Sequence, residues 1–146
     1  MLVTVFAALY VVIGMAIPAI SFGAIQCRVQ DALYPLITLF GIPSVIGLTI
    51  GHFIYNFYGF TLGVALGPLD VIISPLLFIL PKIAIHKLGL RGVIIHIIFI
   101  ALWVAYLLHS LFGLPYLATV ITVGIGEFVA AVVLGIPLTR LIERRI

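Results

Sequence analysis

Residues 2–20 read LVTVFAALYVVIGMAIPAI, an apolar run without one charged side chain, and the first charge anywhere in the chain is Arg28. A helix needs about 20 predominantly apolar residues to cross a hydrocarbon core about 30 Å thick, and this run is that long. A cleaved secretory leader would carry a basic segment before a shorter apolar core; here nothing basic precedes Leu2. The stretch therefore reads as a retained first membrane helix.

The rest of the chain repeats the pattern. Of the 146 residues, 65% are hydrophobic and 8% charged, against a charged fraction of about 25% in water-soluble domains. So little polar material cannot coat a globule in water, which excludes a soluble domain and argues against a stand-alone enzyme. Further apolar blocks run over 32–40, 44–57, 71–85, 93–111 and 116–141. Together they predict an all-α membrane protein of six transmembrane helices in one integral membrane domain over 1–146. Gly41-Ile42-Pro43-Ser44 separates the second helix from the third, because proline suits a helix start and glycine a turn. Gly59, Gly63 and Gly67 fit either an outer loop or a close-packing helical face. Cys27 is the only cysteine, so no intrachain disulfide can form. No cysteine-cluster metal site is possible, and no histidine pair has metal-ligand spacing. No cofactor is expected. The formal charge of +3 does not lie on one soluble face, which argues against nucleic acid as a partner.

Basic residues in short loops stay cytoplasmic. Lys82, Lys87 and Arg91 read as the connection after the fourth helix, and Arg140, Arg144 and Arg145 close the chain. Both groups fall on one side only if the N- and C-termini are cytoplasmic and the loop around residues 21–30 is outside. Arg28 is then the one basic residue on the outer side. It either anchors a helix end or uses its rigid fork of donors to hold a ligand or close a lid.

Ionisable residues at membrane depth are expensive and usually face a cavity or a partner. Asp70 opens the fourth helix, where the backbone dipole favours a carboxylate even without a ligand. Glu127 lies eleven residues into the sixth helix, roughly 16 Å from its outer end at the α-helical rise. It shares a stripe with Ala131 and Gly135, which turns it toward neighbouring helices. It reads as a ligand-facing acid whose ionisation is rescued when a donor-rich substrate arrives. Asn56 offers a donor and an acceptor at the outer end of the third helix. Trp103 is deep enough in the fifth helix to stack on a flat ligand, whereas Tyr106 and His109 read as an interfacial belt. His52, His86 and His96 read as packing residues. Gln26, Arg28, Asp31, Asn56, Asp70 and Glu127 thus gather in the outer half, with three acids to one base. That excess suits a ligand rich in N–H donors.

The segment Ile20-Ser21-Phe22-Gly23-Ala24-Ile25-Gln26-Cys27-Arg28-Val29-Gln30-Asp31-Ala32-Leu33 resembles the first outer loop of the queuosine-precursor transporters of the QueT type. Gly67-Pro68-Leu69-Asp70-Val71, Gly126-Glu127 and Gly135-Ile136-Pro137-Leu138 are similar to that family's later motifs, so the likeness spans most of the chain. The resemblance implies an S-component-like bundle, the substrate-binding subunit of an energy-coupling-factor importer. It also implies a 7-deazaguanine ligand, a transmembrane T component and two cytoplasmic ATPases. In agreement, the chain has no G-x-x-x-x-G-K-[ST] phosphate loop with which to hold ATP. A carboxylate can accept the paired N–H donors of a guanine-like edge, which suits Glu127 or Asp70. Asn56 and Gln26 would serve the carbonyl and pyrrole N–H. Two positions depart from the family's pattern. Asp31 stands where a glutamate is usual. The Ala-x-x-x-Ala face on which T components dock reads Ala8, Val12, Ala16 here.

Other readings keep the fold and change the role. The cargo could be another vitamin or an aromatic amine. Gly124-Ile125-Gly126-Glu127 faintly echoes the glycine-flanked aspartate of intramembrane proteases, but with glutamate and without a companion motif. A structural scaffold would leave the clustering of polar residues on one side unexplained.

Overall fold

The computed structural model describes residues 1–17 and 27–146, and among these residues there is no β-strand. Six helices follow one another. α1 is Leu2–Ala16. α2 is a 3₁₀ segment, Val29–Leu36, continued by the α-turn Ile37–Phe40. α3 is Ile42–Thr61, α4 Pro68–Leu88, α5 Leu90–Phe112 and α6 Tyr116–Glu143. The expected blocks sit inside these helices to within a few residues. The exception is the first, whose predicted end at Ile20 lies outside the described residues. The helices α4, α5 and α6 are each long and apolar enough to cross a membrane.

The packing is inverted relative to a water-soluble bundle. Large apolar side chains cover the outside, among them Ile94, Ile98, Leu102, Ile121 and Ile125, while Arg28, Asp31, Asp70, Lys82 and Glu127 are wholly buried. Lipid takes the first set without penalty, and the second set must find partners inside the protein. The chain is a membrane protein built from α-helices.

Small residues set the helix spacing. α1 lies along α3, and the approach runs over Gly47 and Gly51, one turn apart. A Cβ on Gly47 would come within 2.5 Å of the Val3 carbonyl oxygen, and one on Gly51 within 2.8 Å of Tyr10 Cβ. Without a hydrophobic force between helices in lipid, close backbone contact of this kind supplies the attraction. The break between α2 and α3 falls at Gly41, whose φ of 63° is open to glycine at little cost. Gly63 and Gly67 also have positive φ, at 70° and 90°, with open space where a Cβ would stand. Gly63 and Gly67 of the glycine series thus lie in the loop between α3 and α4, whereas Gly59 is buried within α3.

Two helices depart from α-geometry beside each other. The eight residues of 3₁₀ helix in α2 exceed the usual run of three or four. They pack against Val129–Gly135 of α6, a π-helical stretch. Gly135 permits the contact, since a Cβ there would lie 2.7 Å from the Ala32 carbonyl oxygen and 2.9 Å from Pro35 Cγ. π-helical turns frequently mark functional sites, and this one begins two residues after Glu127.

One expectation needs correction. Lys82 does not belong to a cytoplasmic connection: it lies within α4, fully buried. The reason is a helical stripe. Asp70, Ser74, Phe78 and Lys82 recur every four residues, which places them on one face of the helix, and all four are buried. Lys87 and Arg91 are exposed near the end of the same hairpin.

Candidate functional site

A polar interior runs between the helices, and it starts with Arg28. As the residue entering α2, Arg28 turns its guanidinium inward, where Nη1 lies 2.9 Å from His52 Nε2 and Nη2 lies 3.8 Å from Asp70 Oδ2. A guanidinium only donates, so His52 Nε2 accepts and its proton sits on Nδ1. Ser74 Oγ donates to Asp70 Oδ1 at 2.8 Å, and Trp103 Nε1 donates to Ser74 Oγ at 2.6 Å. Asn56 Nδ2 donates to the Asp70 carbonyl oxygen at 2.9 Å. The first turn of α4 is therefore tied to α3, to α5 and to the start of α2.

Deeper in, Tyr10 donates to Asp31 Oδ1 at 2.7 Å. Its single proton is then used, so the 3.1 Å contact with Tyr34 has Tyr34 donating. Glu127 reaches the same region from α6 and interacts electrostatically with both Asp31 and Arg28. Lys82 enters from α4, with Nζ 3.2 Å from Thr49 Oγ1 and 5.4 Å from the centre of the Tyr34 ring. His96 of α5 meets that ring edge-on at 4.2 Å between centroids.

The hydrogen-bond ledger is incomplete here. Both oxygens of Glu127, Oδ2 of Asp31, Oδ1 of Asn56, both side-chain amide atoms of Gln30, Nδ1 of His52 and both ring nitrogens of His96 are buried without a hydrogen-bond partner among the described residues. Buried polar groups in native proteins are nearly always paired, and each unpaired one costs about 1–3 kcal/mol. The same holds for Asp70 Oδ2 of α4 and for Nε and Nη2 of Arg28, and so many in one place, on five of the six helices, mark an interior suited to receiving polar atoms from elsewhere.

Of the residues singled out from sequence, Arg28, Asp31, Asn56, Asp70 and Glu127 converge on this interior. Gln26 lies outside the described residues. Trp103 is placed at the rim: its N–H points in to Ser74, while its ring lines an apolar cavity of about 380 Å³ with Phe99, Leu102, Tyr106 and Tyr116. Ala8, Val12 and Ala16 share an exposed stripe of α1. Sequence reasoning missed Tyr10, Tyr34, Lys82, His52 and His96. The four-residue spacing from Asp70 to Lys82, and from His52 to Asn56, was the available signal. With Lys82 inside, the interior holds three carboxyl groups and, besides histidines, two basic side chains rather than three and one.

No curated protein and no solved structure matches the chain. The sequence profile of the QueT transporter does match, from residue 1 to residue 144. That match covers nearly the whole length and agrees with a helical membrane protein whose polar groups face inward, so the chain belongs to the QueT transporter family.

Proposed function

We propose that this chain is the substrate-binding S component of an energy-coupling-factor importer and captures a 7-deazaguanine precursor of queuosine from outside the cell. Membership of a family of queuosine-precursor transporters supports the cargo class. The single observation that carries the site is Glu127: its carboxyl is buried against that of Asp31, and apart from that acid neither of its oxygens has a hydrogen-bond partner among the described residues. Two adjacent N–H donors on the edge of a guanine-like base would fill those vacancies with charge-assisted bonds. Asn56, whose amide N–H₂ is already used, offers its free Oδ1 to a ring N–H. This revises the expectation that Asn56 serves the ligand's carbonyl. Arg28 ties the start of α2 to Asp70 and His52. Trp103 supports that clasp through Ser74 instead of stacking on the ligand.

In this reading both termini are cytoplasmic and the loop carrying Arg28 faces out. Lys87, Arg91, Arg140, Arg144 and Arg145 still obey the positive-inside rule after Lys82 is removed from the count. The T component docks on the Ala8, Val12, Ala16 stripe, where small residues allow close helix approach, and two cytoplasmic ATPases supply the energy. A thiol reagent that cannot cross the membrane should then reach Cys27 from outside. Reaction only from the cytosolic face would invert the topology.

Binding decides the cargo. Purified protein titrated with 7-deazaguanine precursors, riboflavin, thiamine and tryptophan should prefer the first. Preference for any of the others would assign the site to a different vitamin or aromatic amine.

A further inference from the structure

Apart from the Gln30 amide, with both a donor and an acceptor unpaired, and the Arg28–Asp70 pair, where Arg28 Nε and Nη2 and Asp70 Oδ2 make no hydrogen bond, the unpaired groups around Tyr34 fall into two sets. Acceptors without donors collect on Asp31 Oδ2, Glu127 Oε1 and Oε2, and Asn56 Oδ1. Donors without acceptors collect elsewhere. His52 has its Nδ1 proton free, and His96 has no partner for either nitrogen. Lys82 spends its ammonium on one hydroxyl, Thr49 Oγ1, and on the face of Tyr34. The two sets meet Tyr34 at different places. Asp31 is reached through the Tyr34 hydroxyl and Tyr10, whereas Lys82 and His96 lie against the Tyr34 ring.

The two buried cations differ in the same way. Arg28 has a carboxylate at 3.8 Å in Asp70, so its charge is matched within the protein. Lys82 has no carboxylate within ion-pair distance among the described residues. A buried amine whose nearest counter-charge, Asp31, lies beyond ion-pair distance is expensive at membrane depth, and α4 could have carried a leucine there if only packing were required. The geometry points to Lys82, with His96, as a second recognition subsite that takes a hydrogen-bond acceptor of the ligand, the ring carbonyl of the base. This rests on the deazaguanine reading above and deepens it: the acids read the donor edge, and Lys82 reads the acceptor beside it. The pair would separate a guanine-type base from bases that lack the carbonyl.

A ligand-by-variant cycle tests this. Wild type and Lys82→Met are titrated with 7-deazaguanine, with its analogue lacking the ring carbonyl, and with its analogue lacking the exocyclic amine. Wild type should lose at least about tenfold in affinity for each analogue, the loss expected when buried polar groups are left unpaired. In Lys82→Met the penalty for losing the carbonyl should shrink several-fold, while the penalty for losing the amine stays at the wild-type value. If both penalties are unchanged in Lys82→Met, or shrink together, Lys82 is a structural residue and the inference falls. Should the methionine variant not fold, Lys82→Arg and the wild-type comparison remain: equal wild-type affinity for the base with and without its carbonyl overturns the inference. Wild type that binds none of the three bases overturns the cargo itself, a result distinct from tight binding without carbonyl discrimination.

Discussion

The clasp around Arg28 and the pocket around Glu127 lie in the same interior and are built from similar groups, yet their hydrogen bonding differs. At the clasp, Asp70 binds Ser74 through one oxygen and pairs with Arg28 through the other, its backbone oxygen accepts from Asn56, and Trp103 completes the chain through Ser74. At the pocket, Glu127 and Asp31 face each other as two acids, and the one donor from another residue type is Tyr10, on Asp31 Oδ1. The clasp leaves Arg28 Nε and Nη2, Asp70 Oδ2 and Asn56 Oδ1 without a hydrogen bond, but its groups are tied to one another, so removing any member strands the others. On the proposed function, the open network is stabilised elsewhere in the fold and is completed by the ligand. The contrast separates residues that shape the site from residues that read the ligand, and it assigns each a different experimental signature.

Arg28→Ala should have the largest effect, and on folding. It strands the wholly buried Asp70 and His52, and breaking a buried ion pair by deleting one partner costs about 3–5 kcal/mol. Thermal unfolding in detergent should show a marked drop with or without ligand; an unchanged midpoint would dissolve the distinction between clasp and pocket. Glu127→Gln should do the reverse. It keeps the shape and leaves folding intact, but weakens binding of the deazaguanine by about 10- to 100-fold, the worth of a hydrogen bond to a charged group. Unchanged affinity, measured by titration calorimetry, would remove Glu127 from the site. Saturating ligand sharpens the same comparison, because it should raise the unfolding free energy of wild type by about 2.7 kcal/mol at a hundredfold excess over Kd. Glu127→Gln at the same ligand concentration should show only about 0.4 to 1.4 kcal/mol of that gain. Trp103→Phe should be the smallest change. It removes one neutral N–H bond to Ser74, costing about 1 kcal/mol of stability, and should alter affinity only a few-fold. A loss as large as that of Glu127→Gln would mean that the indole ring contacts the ligand.

Much of the fold is legible in one dimension. Apolar blocks of spanning length, the proline and glycine near residue 42, and the motifs of the outer loop lead to six helices and to the family without any contact being known. Several site residues are legible for a related reason: against an apolar background, Asp31, Asn56, Asp70 and Glu127 stand out as groups that lipid cannot accept. Lys82 escaped because a basic residue near Lys87 and Arg91 resembles a loop charge when position along the chain is the only coordinate. Tyr10, Tyr34, His52 and His96 escaped because aromatic and imidazole side chains pack in apolar surroundings as readily as they bind. The 3₁₀ and π geometry of α2 and α6 carries no composition signal that separates it from α-helix.

Hydropathy is a local property, so the sequence by itself determined that the chain lives in lipid, roughly where its helices lie and which acids must turn inward. Satisfaction of a hydrogen bond is a property of two groups distant along the chain, and only the tertiary structure decided it. It brought Arg28 to Asp70 across 42 positions, drew Lys82 off the cytoplasmic loops and set the Glu127 carboxyl against that of Asp31.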